Sequence, residues 1–209
     1  MIDFFTAGTP NGHKVAIALE ELALPYRLHA LDLRKSESKT PDFLRINPNG
    51  KIPAIVDNDG NDGAAPITVF ESGAILIYLA EKTGKLLAPS GQARYEALAW
   101  LMFQMSAIGP IFGQVGYFTV FAKEKVPHAI DRFVTEGKRI VKVLDDRLAD
   151  REYLAGDYSI ADIASYPWMQ VAMERMNMAE GAPHAKRWLD RVGARPAVQK
   201  GMTIPPSLF

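Results

Sequence analysis

Cysteine is absent from this 209-residue sequence. No disulfide framework, thiolate zinc site or iron–sulfur cluster can be built from it, and no mechanism can use a thiol of the chain's own. An excess of charge is missing too, because 24 Lys and Arg balance 24 Asp and Glu. Nucleic acid and anionic membrane surfaces call for a basic excess, so neither is an expected partner. The sequence also lacks a phosphate-cradling G-x-x-x-x-G-K-[ST], a G-x-G-x-x-G, a G-x-S-x-G and an H-E-x-x-H. Its histidines, His13, His29, His128 and His184, have no metal-ligand spacing and read as surface or capping residues. No metal is expected. Met1–Phe5 offers neither the basic start nor the apolar run of a signal peptide, and a cytoplasmic location follows as the expectation.

What is present is ordinary globular material, 48% hydrophobic and 10% aromatic. A chain of this size buries about 70% of the surface it exposes when unfolded, so staples are unnecessary. One stretch stands out, Ala97–Ala122, which carries no charge and is long enough to span a bilayer. It also holds Gln104, Ser106, Pro110, Gln114, Tyr117 and Thr119, and the charges flanking it give no orientation. The reading adopted is a long core helix, kinked or broken at Pro110.

The first part of the chain alternates strand and helix patterns. Met1–Phe5 is a short apolar run ending in the turn cluster Thr9-Pro10-Asn11-Gly12. Val15, Ile17, Ala18 and Leu22 then recur at helical spacing until Leu24-Pro25. Tyr26–Leu33, Ile52–Val56 and Ile67–Phe70 read as strands, and Gly73–Lys82 as a helix stopped by Gly84. After a link at 86–91 the pattern is helical throughout, with segments Tyr95–Phe121, Pro127–Asp150, Ile160–Met176 and Pro183–Ala194. Ser159-Ile160-Ala161-Asp162 is a capping-box variant, flanked by Tyr158 and Ile163 where a hydrophobic staple would sit. The expected organisation is a small α/β unit, 1–85, followed by an all-α unit, 92–209.

Three short elements carry chemistry. In Gly50-Lys51-Ile52-Pro53-Ala54-Ile55 a proline stands at the start of a strand, where only an edge or an unpaired amide tolerates it. If the Ile52–Pro53 bond is cis, the Ile52 backbone groups turn outward and can pair with an extended peptide. Glu71-Ser72-Gly73-Ala74-Ile75 follows a strand and opens a helix, so the Ser72 amide and hydroxyl suit a carboxylate. Thr9-Pro10-Asn11-Gly12-His13 also lies at a strand-to-helix junction, with a hydroxyl, a carboxamide and free helix amides that could stabilise an anion.

These elements, in this order, resemble the glutathione transferase family. The resemblance extends over nearly the whole chain and is most specific at Asn49–Ile55, Glu71–Ile75 and Tyr158–Ala164. It implies a thioredoxin-like α/β N-terminal domain without the redox cysteine pair, joined to an all-α C-terminal domain. Thr9-Pro10-Asn11-Gly12-His13-Lys14 looks like the nu class, whose bacterial members act as glutathione-dependent disulfide-bond oxidoreductases. By that resemblance Ile52, next to Pro53, would pair with the cysteinyl backbone of glutathione. Glu71 would engage the γ-glutamyl ammonium and Ser72 its carboxylate, while Lys51 could reach a carboxylate. Thr9 and Asn11 would face the sulfur as the catalytic pair, and Arg132 would meet a carboxylate of a second glutathione or a disulfide substrate. A two-fold homodimer is also implied.

The sequence departs from the wider family in two places. Its first tyrosine is Tyr26, far from the N-terminal junction, and no serine lies near Thr9, so Thr9, Asn11 and the helix start must activate the sulfur. Gln114-Val115-Gly116-Tyr117-Phe118, beside the expected acceptor pocket, contains no histidine. Three functions stay open at this point. One is a disulfide reductase that uses the thiolate of bound glutathione, with glutathione as co-substrate. Another is a transferase or peroxidase acting on electrophiles or hydroperoxides, and the third is a non-catalytic binding or regulatory module of the same fold.

Overall fold

A computed structural model of the chain describes residues 1–60, 65–178 and 180–206. They form two compact units, Met1–Pro89 together with the segment that starts at Arg195, and Ser90–Ala194.

The first unit is built on a four-stranded sheet in the order β2-β1-β3-β4, from β1 (Ile2–Thr6), β2 (Tyr26–Ala30), β3 (Ala54–Asp57) and β4 (Ile67–Phe70). β1 and β2 are parallel and joined through helix α1 (Pro10–Glu21), as a parallel pair requires a crossover. β3 runs antiparallel to both β1 and β4. α1 begins where expected: Thr9 is its N-cap, its hydroxyl accepting from the Gly12 amide at 3.4 Å, and Pro10 opens the first turn. Gly12 has to be glycine. A Cβ there would lie 2.3 Å from both the Ala7 carbonyl oxygen and Thr6 Oγ1. Val15 to Leu19 are buried to within 1%. Helix α2 (Pro41–Ile46) is capped by Thr40, and α3 (Ser72–Thr83) ends at Gly84 in the left-handed conformation, φ 66°.

The second unit is helical. A continuous helical run, Gly91–Phe121, consists of α4 (Gly91–Phe103), a π turn at Gln104–Ile108, α5 (Gly109–Gly116) and a second π turn at Tyr117–Phe121. Pro110 does not break it. The wide turn just before Pro110 takes up the missing amide and the ring. By length and composition alone this run is long and apolar enough to cross a membrane. Its buried residues Ala97, Leu101, Gln104, Ile108, Phe112 and Val115 recur every three or four positions, the stripe of a helix packed on neighbours. Those neighbours are α6 (Pro127–Arg147) and α7 (Ile160–Arg175). Helix α8 (Pro183–Gly193) inserts the buried Trp188.

The capping box at the start of α7 is present. The Asp162 carboxylate accepts from the Ser159 amide at 3.0 Å, and Ser159 Oγ accepts from the Ala161 amide at 3.2 Å. The other Asp162 oxygen accepts from the Leu154 amide at 3.0 Å and from Trp188 Nε1 at 2.9 Å. Burial pushes this carboxyl up to about 6 against the pull of those four donors, Ser159 Oγ included.

One boundary differs from the sequence expectation, which placed everything from 92 to 209 in the helical unit. Helix α9 (Pro196–Gly201) packs on α1 in the first unit. The last three residues of that range lie outside the described residues. Gly201 allows the approach, since a Cβ there would come within 2.6 Å of the Ile17 Cα. Arg195 pairs with Glu21 at 2.6 Å and Lys200 with Glu20 at 2.8 Å.

Candidate functional site

Strand register brings three loops to one end of the sheet. Phe5 of β1 and Phe70 of β4 both face Ala54, the first residue of β3. The chain leaving β1 through Ala7 to Thr9, the Ile52–Pro53 dipeptide entering β3 and Glu71 leaving β4 therefore converge there. α1 and α3 both start at this edge with their free amides. Thr9, Asn11, Ile52, Pro53, Glu71 and Ser72, singled out along the sequence, thus sit at a common end of the first unit.

The Ile52–Pro53 peptide bond is cis. Its loop is tied down by the buried Asn47, whose amide donates to the Lys51 carbonyl at 2.6 Å while its side-chain oxygen accepts from the Asn49 amide at 3.0 Å. Lys39 Nζ donates to the Asn49 carbonyl at 3.2 Å. Pro53 is buried, Ile52 half-buried and Lys51 exposed. Glu71 is exposed and takes φ 69°, a conformation that non-glycine residues adopt rarely. Ser72 beside it is only 5% exposed.

A residue the sequence reading did not single out completes this corner. Lys14 of α1 is 1% exposed, and its Nζ donates to Ser72 Oγ at 3.4 Å. Burial drives its ammonium down to about 7, although the Glu71 carboxylate acts in the opposite sense. The signal was in the pattern: Lys14 is four and eight residues before Ala18 and Leu22, on the apolar face of α1. His13 differs from its expected surface role. It is half-buried, burial pushes its imidazole down to about 4, and Nε2 has no hydrogen-bond partner among the described residues. His29 pairs with Asp3 at 2.7 Å and stacks on Phe5. Arg132 is an exposed residue of α6, in the second unit, where its charge acts on Glu136. Among the described residues no cluster of His, Asp or Glu could hold a metal.

A buried cation and a hydroxyl at one helix start, an exposed carboxylate beside them and a cis-proline loop define a small α/β unit suited to a zwitterionic peptide, carried with an all-helical unit. The sequence profile of the glutathione S-transferase N-terminal domain matches residues 9–82 and that of the C-terminal domain residues 108–196. The chain belongs to the glutathione S-transferase family, with its thioredoxin-like and helical units. It is 46% identical to disulfide-bond oxidoreductase YfcG of Escherichia coli over 97% of this chain and 94% of that protein. A glutathione transferase from Pseudomonas putida, solved with one glutathione disulfide per subunit, superposes with a TM-score of 0.94 at 44% identity, covering 98% of this chain and 91% of that one. The glutathione transferase of Burkholderia graminis, solved with two glutathione molecules per subunit, gives a TM-score of 0.93 at 46% identity over 98% and 88% of the two chains.

Proposed function

We propose that the protein is a glutathione-dependent disulfide-bond oxidoreductase that reduces small disulfides with the thiolate of bound glutathione. The observation that carries this reading is the convergence of the Thr9–Asn11 junction, the cis Ile52–Pro53 bond and the Glu71–Ser72 helix start at one sheet end, in a chain with no thiol. The activity of the E. coli relative and the bound glutathione disulfide of the P. putida structure support the same chemistry.

Each group has a fitting task. The Ile52 backbone pairs with the cysteinyl residue of glutathione in the manner of an added strand. Glu71 receives the γ-glutamyl ammonium, and Ser72 with the α3 amides receives its carboxylate. Lys51, exposed beside Ile52, meets a carboxylate of the ligand. The Thr9 hydroxyl accepts from the Gly12 amide and keeps its proton for the sulfur. With the Asn11 carboxamide and the positive end of α1, it favours the thiolate over the thiol.

The reaction is then two exchanges. The stabilised thiolate attacks one sulfur of the substrate disulfide, forming a mixed disulfide and releasing the other half as a thiolate. A second glutathione thiolate attacks the glutathione sulfur of that mixed disulfide, giving glutathione disulfide and releasing the second half. Two glutathione thiols are oxidised and one disulfide is reduced to two thiols. Arg132 holds a carboxylate of the second glutathione or of the substrate. The enzyme works as a cytoplasmic homodimer, without nucleic-acid or membrane partners.

The test compares turnover of hydroxyethyl disulfide with conjugation of chlorodinitrobenzene, in the wild type and in Asn11→Ala. Disulfide reduction dominates in the wild type. Asn11→Ala lowers its kcat by about 100-fold, the scale of one donor at a developing anion, while glutathione binding changes little. Faster conjugation than reduction would place the enzyme among the transferases. Equal losses of rate and binding would make Asn11 a holding residue only.

A further inference from the structure

Asn47, at the C-terminal end of α2, is 2% exposed and uses both polar atoms of its carboxamide on the loop that leads to Ile52. Oδ1 accepts from the Asn49 amide at 3.0 Å, and Nδ2 donates to the Lys51 carbonyl at 2.6 Å. One partner is a donor and the other an acceptor, so a carboxylate at this position could serve the first but not the second. The Asn47 carbonyl meanwhile accepts from the Gly50 amide at 2.8 Å and closes the turn. The peptide unit between Lys51 and Ile52 is planar and trans, so its C=O and N–H point in opposite directions. With the Lys51 carbonyl drawn inward to Asn47, the Ile52 N–H faces the other way, and among the described residues it has no acceptor.

We propose that Asn47 is a positioning residue of the site: by holding the Lys51 carbonyl it aims the Ile52 N–H at the ligand before the ligand arrives. The inference rests on the glutathione reading above, in which the Ile52 backbone pairs with the cysteinyl residue. A donor whose direction is already set gives up little freedom on binding, which favours affinity. The other half of the loop has its own restraints. Gly50 takes φ 61°, and Lys39 Nζ donates to the Asn49 carbonyl at 3.2 Å. Loss of the Nδ2 bond therefore frees one peptide plane rather than the whole loop. That plane then turns about its flanking single bonds, and the Ile52 N–H is no longer held toward the ligand. Asn47 acts through this loop alone, so the groups assigned to the sulfur, Thr9 and Asn11, keep their places.

The experiment pairs steady-state reduction of hydroxyethyl disulfide with amide hydrogen exchange read by NMR, on the wild type and Asn47→Asp. In the wild type the Ile52 amide should exchange quickly without ligand and become protected when S-methylglutathione is bound. Asn47→Asp keeps an acceptor for the Asn49 amide and loses the donor to Lys51. It should raise the KM for glutathione about 10-fold, the scale of one hydrogen bond, and leave kcat at saturating glutathione within about 2-fold. Its ligand-induced protection of Ile52 should be weaker. An unchanged KM, a loss confined to kcat, or full protection of Ile52 in Asn47→Asp overturns the role of Asn47. So does an Ile52 amide already protected in the free wild type, a measurement that needs no variant. Wild-type protein that binds S-methylglutathione and leaves Ile52 unprotected overturns the inference while glutathione binding stands. Wild-type protein that does not bind it overturns the glutathione reading and this inference together.

Discussion

At Ser72 the hydroxyl oxygen accepts from Lys14 at the first residue of α3, where the free helix amides also suit an anion. If Ser72 receives the ligand carboxylate as proposed, alanine there removes a charge-assisted bond to it and leaves Lys14 with one acceptor fewer. Ser72→Ala should therefore weaken glutathione binding by about 10- to 100-fold, the range of one hydrogen bond to a charged group. Calorimetry or fluorescence quenching with glutathione disulfide measures it. Unchanged affinity would detach Ser72 from the site. The helix start at Ser72 was legible in the sequence because a strand, then Glu-Ser-Gly, then an apolar helix pattern announces it. For Lys14 the sequence carries only its place on the apolar face of α1; lysine on a helix is ordinarily a solvated residue, so the contact across to α3 is needed to bring it into the corner.

Elements were legible where caps and breakers mark them. Ile67–Phe70 is a strand at the expected residues. Gly84 stops α3, and the Ser159–Asp162 box opens α7. Two features were not. The helix expected over Tyr95–Phe121 is there, but how it passes Pro110 was not legible: a π turn absorbs the proline, a tertiary accommodation with no local signature. α9 is a six-residue helix between two prolines, and its place on α1 depends on the missing Cβ of Gly201. The α7 box also carries a stability prediction. Asp162→Ala leaves the Leu154 and Ser159 amides and Trp188 Nε1 buried without their acceptor, at about 1–3 kcal/mol each. Ser159→Ala removes only a cap, about 1 kcal/mol. Urea denaturation should place Asp162→Ala at least about 3 kcal/mol below wild type and well below Ser159→Ala. Similar losses for the two would show that the carboxylate acts only as a cap partner.

Over the whole molecule the buried titratable groups set how stability varies with pH, and each contributes over its own window. The Lys14 ammonium falls from its ordinary 10.5 to about 7 on folding, through burial. Between those values the unfolded chain binds more protons than the native one, so stability rises with pH from about 7 upward. His13, held down to about 4 from 6.5, works in the same sense at lower pH, its share being lost as pH falls from 6.5 toward 4. Asp162, pushed by burial from 3.8 up to about 6, works in the opposite sense, its share being lost as pH rises through that interval. These two largely cancel between pH 4 and 6. Above pH 10 the phenols of Tyr26 and Tyr78, raised by burial and by the carboxylates of Glu20 and Asp57, begin to cost stability. The ligand-free protein should therefore show a thermal midpoint that is nearly flat across pH 4–6 and climbs between pH 7 and 10. Lys14→Met should flatten the climb. Differential scanning calorimetry of both proteins across this range reads the two curves, and a climb that survives the Lys14→Met substitution would assign it to another group.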